Sequence, residues 1–377
     1  MWATRYSASR QRDATGFDDV RSFATVLRIA AVVVLVAAVP VGTKRAPGVQ
    51  PTAGLQPLDV ARIIAQRYPQ EVSVRYIPAL LWSGTLRLSK LTGEQRWAQK
   101  ARGEMGPFIS GAKPSIVEPY VLTSLAGHLA FSDLSAATSN AAAAELARQG
   151  AEFFLPQAPA EIVRFGRGWT DDMFMASSLW SRLAARTRDE RYANALGRLL
   201  TTYAHKLQRA DGLFMHAPEG PHAWGRGNGF ALMGVAEALT YLPDGWVQRG
   251  EILAIYRRHI AAMLRHQADD GAWRQVVDDD AAYRELTVTA MTVTALARGV
   301  RLGWLDRSVA SAIDRGWQAV VARVAADGTL RDVCPSTGAG STRAHYLNRP
   351  VVNGLDDRGA AMTLMAALEV DELRHGR

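Results

Sequence analysis

Asp211-Gly212-Leu213-Phe214, Asp270-Gly271-Ala272-Trp273 and Asp327-Gly328-Thr329-Leu330 are one local pattern written three times, at spacings of 59 and 57 residues. Each follows an amphipathic stretch. Asp-Gly supplies a turn, and the apolar pair after it returns the chain to a core. A period near 58 is too long for one helix and suits a helical hairpin plus its loop. A second echo, Leu91-Thr92-Gly93-Glu94-Gln95-Arg96-Trp97-Ala98 against Arg186-Thr187-Arg188-Asp189-Glu190-Arg191-Tyr192-Ala193, ends one helix, makes a polar turn and opens the next on an aromatic residue.

Outward from these turns the periodicity is helical from Pro57 onward. Twelve helices are expected, centred near Ile63, Leu81, Ala98, Leu125, Leu146, Leu179, Leu199, Val235, Ala254, Val293, Val320 and Leu364. Thr287–Val300 has strand-like composition. Ala290, Ala295 and Ala297 break its alternation, so it is read as a helix. The expected fold is all-α: six hairpins closed into an (α/α)6 toroid, one helical layer inside and one outside. An open solenoid gives the same period. The unpatterned segment Asp332–Gly354 favours closure, because it can lie over the mouth of a ring.

The apolar run Ile29–Val41 is short for a membrane span and is flanked by basic residues. Residues 1–45 are expected to be a signal peptide or an N-terminal signal anchor, residues 46–56 a linker and 57–377 the catalytic domain, working outside the cytoplasm. Residues 1–50 hold seven basic and three acidic side chains, so half of the net charge of +8 sits there. No basic recognition helix is present, and nucleic acid is not an expected partner. The single cysteine, Cys334, excludes an internal disulfide and a cysteine metal cluster. No metal-ligand spacing or phosphate loop occurs, so neither metal nor cofactor is expected.

Chemistry concentrates in two segments. Gly166-Arg167-Gly168-Trp169-Thr170-Asp171-Asp172-Met173-Phe174-Met175 opens a helix with two carboxylates among aromatic and sulfur side chains. One aspartate is accounted for as a helix cap; the surrounding set suits a sugar site. His222-Ala223-Trp224-Gly225-Arg226-Gly227-Asn228-Gly229-Phe230 joins glycines to a flat indole and a guanidinium matched to a carboxylate. Asn228 alternatively caps the helix that follows. His216 and Glu118 are weaker candidates taken singly. A histidine in a turn and an acid before Pro119 both have ordinary structural roles.

Trp169-Thr170-Asp171-Asp172-Met173-Phe174-Met175 resembles the Trp-x-Asp-x-Leu-Phe/Tyr-Met segment of glycoside hydrolase family 105, the unsaturated rhamnogalacturonyl hydrolases, and of the related unsaturated glucuronyl hydrolases of family 88. Trp224 to Gly229 is similar to that family's Trp-x-Arg-Gly/Ala-Asn-Gly loop, and Trp273 to Asp278 to its Trp-x-Gln-Val-x-Asp turn. Glu285 to Leu305, then Gly328 through Tyr346, Arg349, Asp356 and Gly359, follow in the same order. The resemblance implies the toroid, no metal, and a substrate that is an anionic oligosaccharide left by polysaccharide lyases. The expected reaction is hydration of a C4=C5 double bond in its terminal uronic acid. By position, Asp171 matches the acid/base aspartate and Glu118 falls where a second aspartate is usual. His216, Trp224, Arg226, Asn228, Trp169 and Met175 are expected to bind substrate. Phe230 stands where a second Trp is common. The Asp-to-Glu departure at Glu118 leaves a catalytically altered, carbohydrate-binding toroid as the alternative, together with another sugar-active enzyme on this fold.

Overall fold

The computed structural model describes residues 54–377. The leader and nearly all of the linker expected over 1–56 lie outside the described residues. Among the described residues, no helix is long and apolar enough to cross a membrane.

Twelve helices of ten residues or more form the body: α1 (Pro57–Arg67), α2 (Tyr76–Thr92), α3 (Gln95–Ile109), α4 (Leu129–Thr138), α5 (Ala141–Phe153), α6 (Thr170–Thr187), α7 (Glu190–Leu207), α8 (Gly225–Tyr241), α9 (Arg249–Arg265), α10 (Leu286–Arg301), α11 (Ala310–Val321) and α12 (Asp357–His375). Every helix centre read from the sequence falls in one of these, except Leu125, which lies in the short helical lead-in Leu122–His128 to α4.

The even-numbered helices make a closed inner ring. α2 packs on α4, α4 on α6, α6 on α8, α8 on α10, α10 on α12, and α12 back on α2. The odd-numbered helices pack outside it, α3 on α2 and so on round to α11 on α10, while α1 lies on α12. Closure therefore comes from the first helix completing the last hairpin, and the solenoid alternative falls.

Burial follows from the two layers. In α7 the buried residues Tyr192, Leu196, Leu199, Leu200, Tyr203 and Leu207 recur every three or four positions, the single stripe of an outer helix. In α8 every residue from Gly225 to Leu239 is buried, so its sequence shows no polar face. Small residues let inner helices touch: a Cβ on Gly234 of α8 would lie 2.5 Å from the Met173 carbonyl oxygen of α6. The threonine-rich α10 is a helix despite its β-branched content because its buried hydroxyls bond back one turn: Thr289 to the Glu285 carbonyl, Thr292 to Val288 and Thr294 to Ala290, at 2.7–2.8 Å.

The three Asp-Gly turns are equivalent. Gly212, Gly271 and Gly328 have φ of +93°, +85° and +85°, and the preceding aspartate accepts the backbone N–H two residues on, at 3.0, 3.2 and 2.9 Å. Each ends an outer helix.

At the end of the ring where the inner helices finish, buried charges bind neighbouring helices together. Glu237 of α8 pairs with Arg182 of α6 and with Arg298 of α10. Arg298 also reaches Glu369 of α12 at 2.7 Å, and Arg87 of α2 meets the same carboxylate at 2.9 Å. Arginines at helix C-termini match the negative end of the dipole. At the opposite end, Asp332–Gly354 crosses the mouth as expected. A short ribbon pairing Leu330–Val333 with Val352–Gly354 frames it, and it carries a helical turn, Arg343–Leu347.

Candidate active site

The inner helices begin at the mouth, and their first residues surround a cavity of about 590 Å³. Tyr76 and Ile77 come from the start of α2, Asp171 from α6, Trp224 from the residue before α8, Arg226 and Phe230 from α8, and Asp357 and Arg358 from α12. Trp169, Ser336, Thr337 and Gly338 close the side. Volume and mixed lining suit a small polar ligand. Four helix N-termini directed at one space favour an anion there.

The two adjacent aspartates divide their work. Asp172 is buried, and its Oδ2 accepts the backbone N–H groups of Arg167 at 2.7 Å and Gly168 at 2.8 Å and the Tyr203 hydroxyl at 2.9 Å. It is the brace of the 166–169 loop. Burial raises its pKa to about 6; the Tyr203 hydrogen bond opposes this, and the neighbouring Asp171 charge adds to it. Asp171, one residue earlier, points into the cavity with its side chain 20% exposed. Its Oδ2 is buried 3.3 Å from His216 Nε2, an ion-pair distance, and neither atom makes a hydrogen bond. The carboxyl group therefore meets the cavity through Oδ1.

His216 is fully buried beneath Asp171, between the rings of Trp169 and Trp224, with centroids 5.2 and 4.4 Å away. Its Nδ1 lies 3.0 Å from the Tyr346 hydroxyl, which in turn accepts the Gly340 N–H at 3.2 Å. A hydroxyl that already accepts a bond is free to donate its proton to Nδ1. When it donates there, the imidazole proton sits on Nε2, facing the Asp171 carboxylate.

Other expected site residues take different places. Arg226 lines the cavity, but its guanidinium donates to the carbonyls of Cys334 and Pro335, both at 2.6 Å, and lies 4.9 Å over the Trp224 ring. It anchors the strap across the mouth. From behind, Glu285 holds the same strap by accepting the Cys334 N–H at 2.9 Å. Asn228 does not reach the cavity. It is fully buried and uses its whole amide: Oδ1 accepts from Phe214 N at 2.8 Å and lies 3.0 Å from His259 Nε2, while Nδ2 donates to the Phe214 and Trp224 carbonyls. It thus fixes the turn that presents His216, two residues beyond Phe214. Met175 is a core residue with no exposed surface. Glu118, expected as the second catalytic carboxylate, is exposed and lines a separate cleft with Lys113 and Val121. The carboxylates that do line the cavity beside Asp171 include Asp356, which caps α12 and pairs with Arg358, and Asp357, which accepts the Gln70 and Glu71 N–H groups.

Tyr76 was not legible in the sequence. It lines the cavity edge-on to Phe230, with centroids 5.8 Å apart, and burial pushes its phenol up to about 12. Its signal was position alone, as the first residue of an inner helix. The Trp224 indole N–H is buried without a partner, a donor left for a ligand.

Fold and site define a six-hairpin toroid with one uncommitted aspartate in an aromatic-walled mouth. Residues 59–374 match Glycosyl Hydrolase Family 88, and the chain belongs to that family. It is 27% identical over 175 residues to an unsaturated 3S-rhamnoglycuronyl hydrolase of Alteromonas sp. (strain LOR), covering 43% of this chain and 42% of that protein. It is 25% identical over 251 residues to an unsaturated rhamnogalacturonyl hydrolase of Bacillus subtilis (strain 168), covering 59% of this chain and 69% of that one. Among solved structures, a family 105 glycoside hydrolase of C. acetobutylicum shares the fold with a TM-score of 0.72 at 20% identity, covering 83% of this chain and 98% of its own. The unsaturated glucuronyl hydrolase of Bacillus sp. GL1 superposes at 0.61 with 15% identity, covering 84% and 95%.

Proposed function

We propose that the protein is an unsaturated uronyl hydrolase acting on anionic oligosaccharides released by polysaccharide lyases. The observation that carries this reading is Asp171, a carboxyl group in an aromatic-walled cavity with His216 Nε2 3.3 Å behind it. The relatives named as hydrolases of unsaturated glycuronyl sugars support the same substrate class.

The chemistry needs one group that gives and takes a proton at a single face of the ring. Asp171 delivers a proton to C4 of the double bond. Water adds its oxygen to C5 and returns a proton to the same carboxylate. The C5 hemiketal then opens, the glycosidic bond is lost, and the neighbouring sugar leaves as an alcohol. Throughout, His216 Nε2 faces Oδ2 from behind, which leaves Oδ1 toward the sugar for the transfer. Trp169, Trp224 and Phe230 wall the ring, and the inner-helix N-termini favour the uronate. Asp356 and Asp357 are engaged by Arg358 and by backbone N–H groups, so this mechanism uses one carboxyl group in both roles. Action outside the cytoplasm, on fragments of a pectic or related polymer, belongs to the same proposal.

The test is the ultraviolet absorbance of the conjugated enol ether–carboxylate, followed with unsaturated disaccharides of galacturonyl and glucuronyl type. Loss of absorbance with one of them supports hydration and names the sugar. No loss with any, from folded protein, overturns the reading.

A further inference from the structure

The ring has a second cavity, at the end opposite Asp171. Its volume is about 670 Å³, and all six inner helices contribute to its wall. Six cations line it: Arg87 and Lys90 from α2, Arg182 from α6, Arg298 and Arg301 from α10, and Arg377 just beyond α12. Five carboxylates answer them. Asp133, Glu369 and Glu372 line the cavity, while Glu237 pairs with Arg182 and Arg298 and Asp371 pairs with Arg377. Each lining carboxylate is already donated to: Glu369 by Arg87, Arg298 and Arg301, Glu372 by Arg87, and Asp133 by Arg182 and Ser83. Donors, in contrast, are left over. Arg301 Nε is buried without a hydrogen-bond partner. Lys90 is exposed and has no ion pair or side-chain hydrogen bond among the described residues. Leu86, Leu91, Ala137 and Met365 add apolar surface. The proposed hydration uses none of these groups.

We infer that this far-end cavity binds a tetrahedral oxyanion, phosphate or sulfate, free or carried as an ester, through Arg87, Lys90 and Arg301. A surplus of donors over free acceptors calls for a ligand that accepts. Arg87 and Lys90 stand on α2 and Arg301 on α10, the two helices that flank α12 in the ring. Charged donors from two separate helices suit the spread oxygens of a tetrahedral anion better than a planar carboxylate. The helix C-termini here carry partial negative charge, so the attraction comes from these side chains at close range. The apolar surface accommodates the carbon skeleton of an ester. A ligand bridging α2 and α10 clamps α12 between them, where the ring closes. Its effect is therefore on stability, and it is independent of the reaction proposed at Asp171.

Calorimetry at constant ionic strength, with chloride as the background anion, tests this with inorganic phosphate, inorganic sulfate, glucose 6-phosphate and glucose. The oxyanions are expected to bind saturably and glucose not at all. At a free concentration about one hundred times Kd, the melting temperature should rise by about 4 °C. Lys90→Ala should weaken binding about threefold and Lys90→Glu about tenfold, the scale of one exposed charge contact and its reversal. Arg301→Lys keeps a charge beside Glu369 but removes the Nε–H, and should also weaken binding about tenfold. Should that variant fail to fold, the Lys90 pair decides alone. Tighter binding of glucose 6-phosphate than of phosphate assigns the site to an ester, and the reverse assigns it to the free anion. Absence of saturable binding by any oxyanion overturns the inference. Equal affinity in wild type and Lys90→Glu overturns it too, because the anion then sits elsewhere, the mouth included.

Discussion

The Tyr346 hydroxyl lies 3.0 Å from His216 Nδ1, on the far side of the imidazole from Asp171. It sets which nitrogen carries the proton, and thus whether Asp171 Oδ2 meets a donor or a lone pair. Tyr346→Phe should lower kcat about tenfold with little change in KM, because the aspartate loses its fixed partner while the cavity wall keeps its ring. Nitrogen NMR of the His216 ring checks the cause: wild type should show the Nε2–H tautomer, and the variant a mixture. A variant with unchanged spectrum and unchanged kcat would remove Tyr346 from the mechanism.

Asp171→Asn is expected to reduce turnover about 10²–10⁴-fold, the usual contribution of a positioned acid/base group. Substrate affinity, measured by calorimetry, should survive, since the aromatic walls and helix N-termini are untouched. An active variant would move the chemistry to another residue.

Asn228 is a stability prediction. Its removal orphans the Phe214 N–H and carbonyl and the His259 ring, all buried. Asn228→Ala should cost about 3 kcal/mol or more in denaturant unfolding, by the usual cost of buried groups left unpaired. Residual activity at low temperature should show a lowered kcat, since the turn carrying His216 is loosened.

Asp172 makes stability depend on pH. Its folded pKa, about 6, lies above the 3.8 ordinary for an aspartate. Between those values the folded chain holds a proton that the unfolded chain has released. This contribution is therefore fully present below the unfolded value and is lost as pH rises through about 6. Melting temperature should fall over that interval more in wild type than in Asp172→Asn. Identical slopes in the two proteins would refute the assignment.

Glu369 closes the far end of the ring through Arg87, Arg298 and Arg301, with its side chain fully buried. Glu369→Gln leaves buried guanidinium groups short of charge and should cost about 3–5 kcal/mol. Unfolding measurements should show this with hydration kinetics of the folded fraction unchanged, since the network lies at the end opposite Asp171.

The toroid was legible because Asp-Gly turns leave a local mark. Gly212, Gly271 and Gly328 need left-handed backbone, and aspartate before them completes the turn. Asp171 was legible for the same reason: charge at the start of an otherwise apolar helix stands out. Glu118 was misplaced because adjacency in sequence to an inner helix does not say which side of the loop a side chain takes. Asn228 and Met175 sit within motifs that reach the cavity, yet their side chains turn into the core, a distinction set by helical phase. Tyr76 carries no local pattern; only the packing of the inner ring, which sets the start of α2 at the mouth, makes it a neighbour of Asp171.

That closure by α1 on α12 has a consequence for biogenesis. The hairpin that shuts the ring is built from the two ends of the described chain, so a growing polypeptide stays an open arc until its last helix is delivered. Joining those ends and cutting the chain in a loop between two other hairpins should give a circular permutant with the same ring. Deleting α12 should leave an arc with no complete mouth.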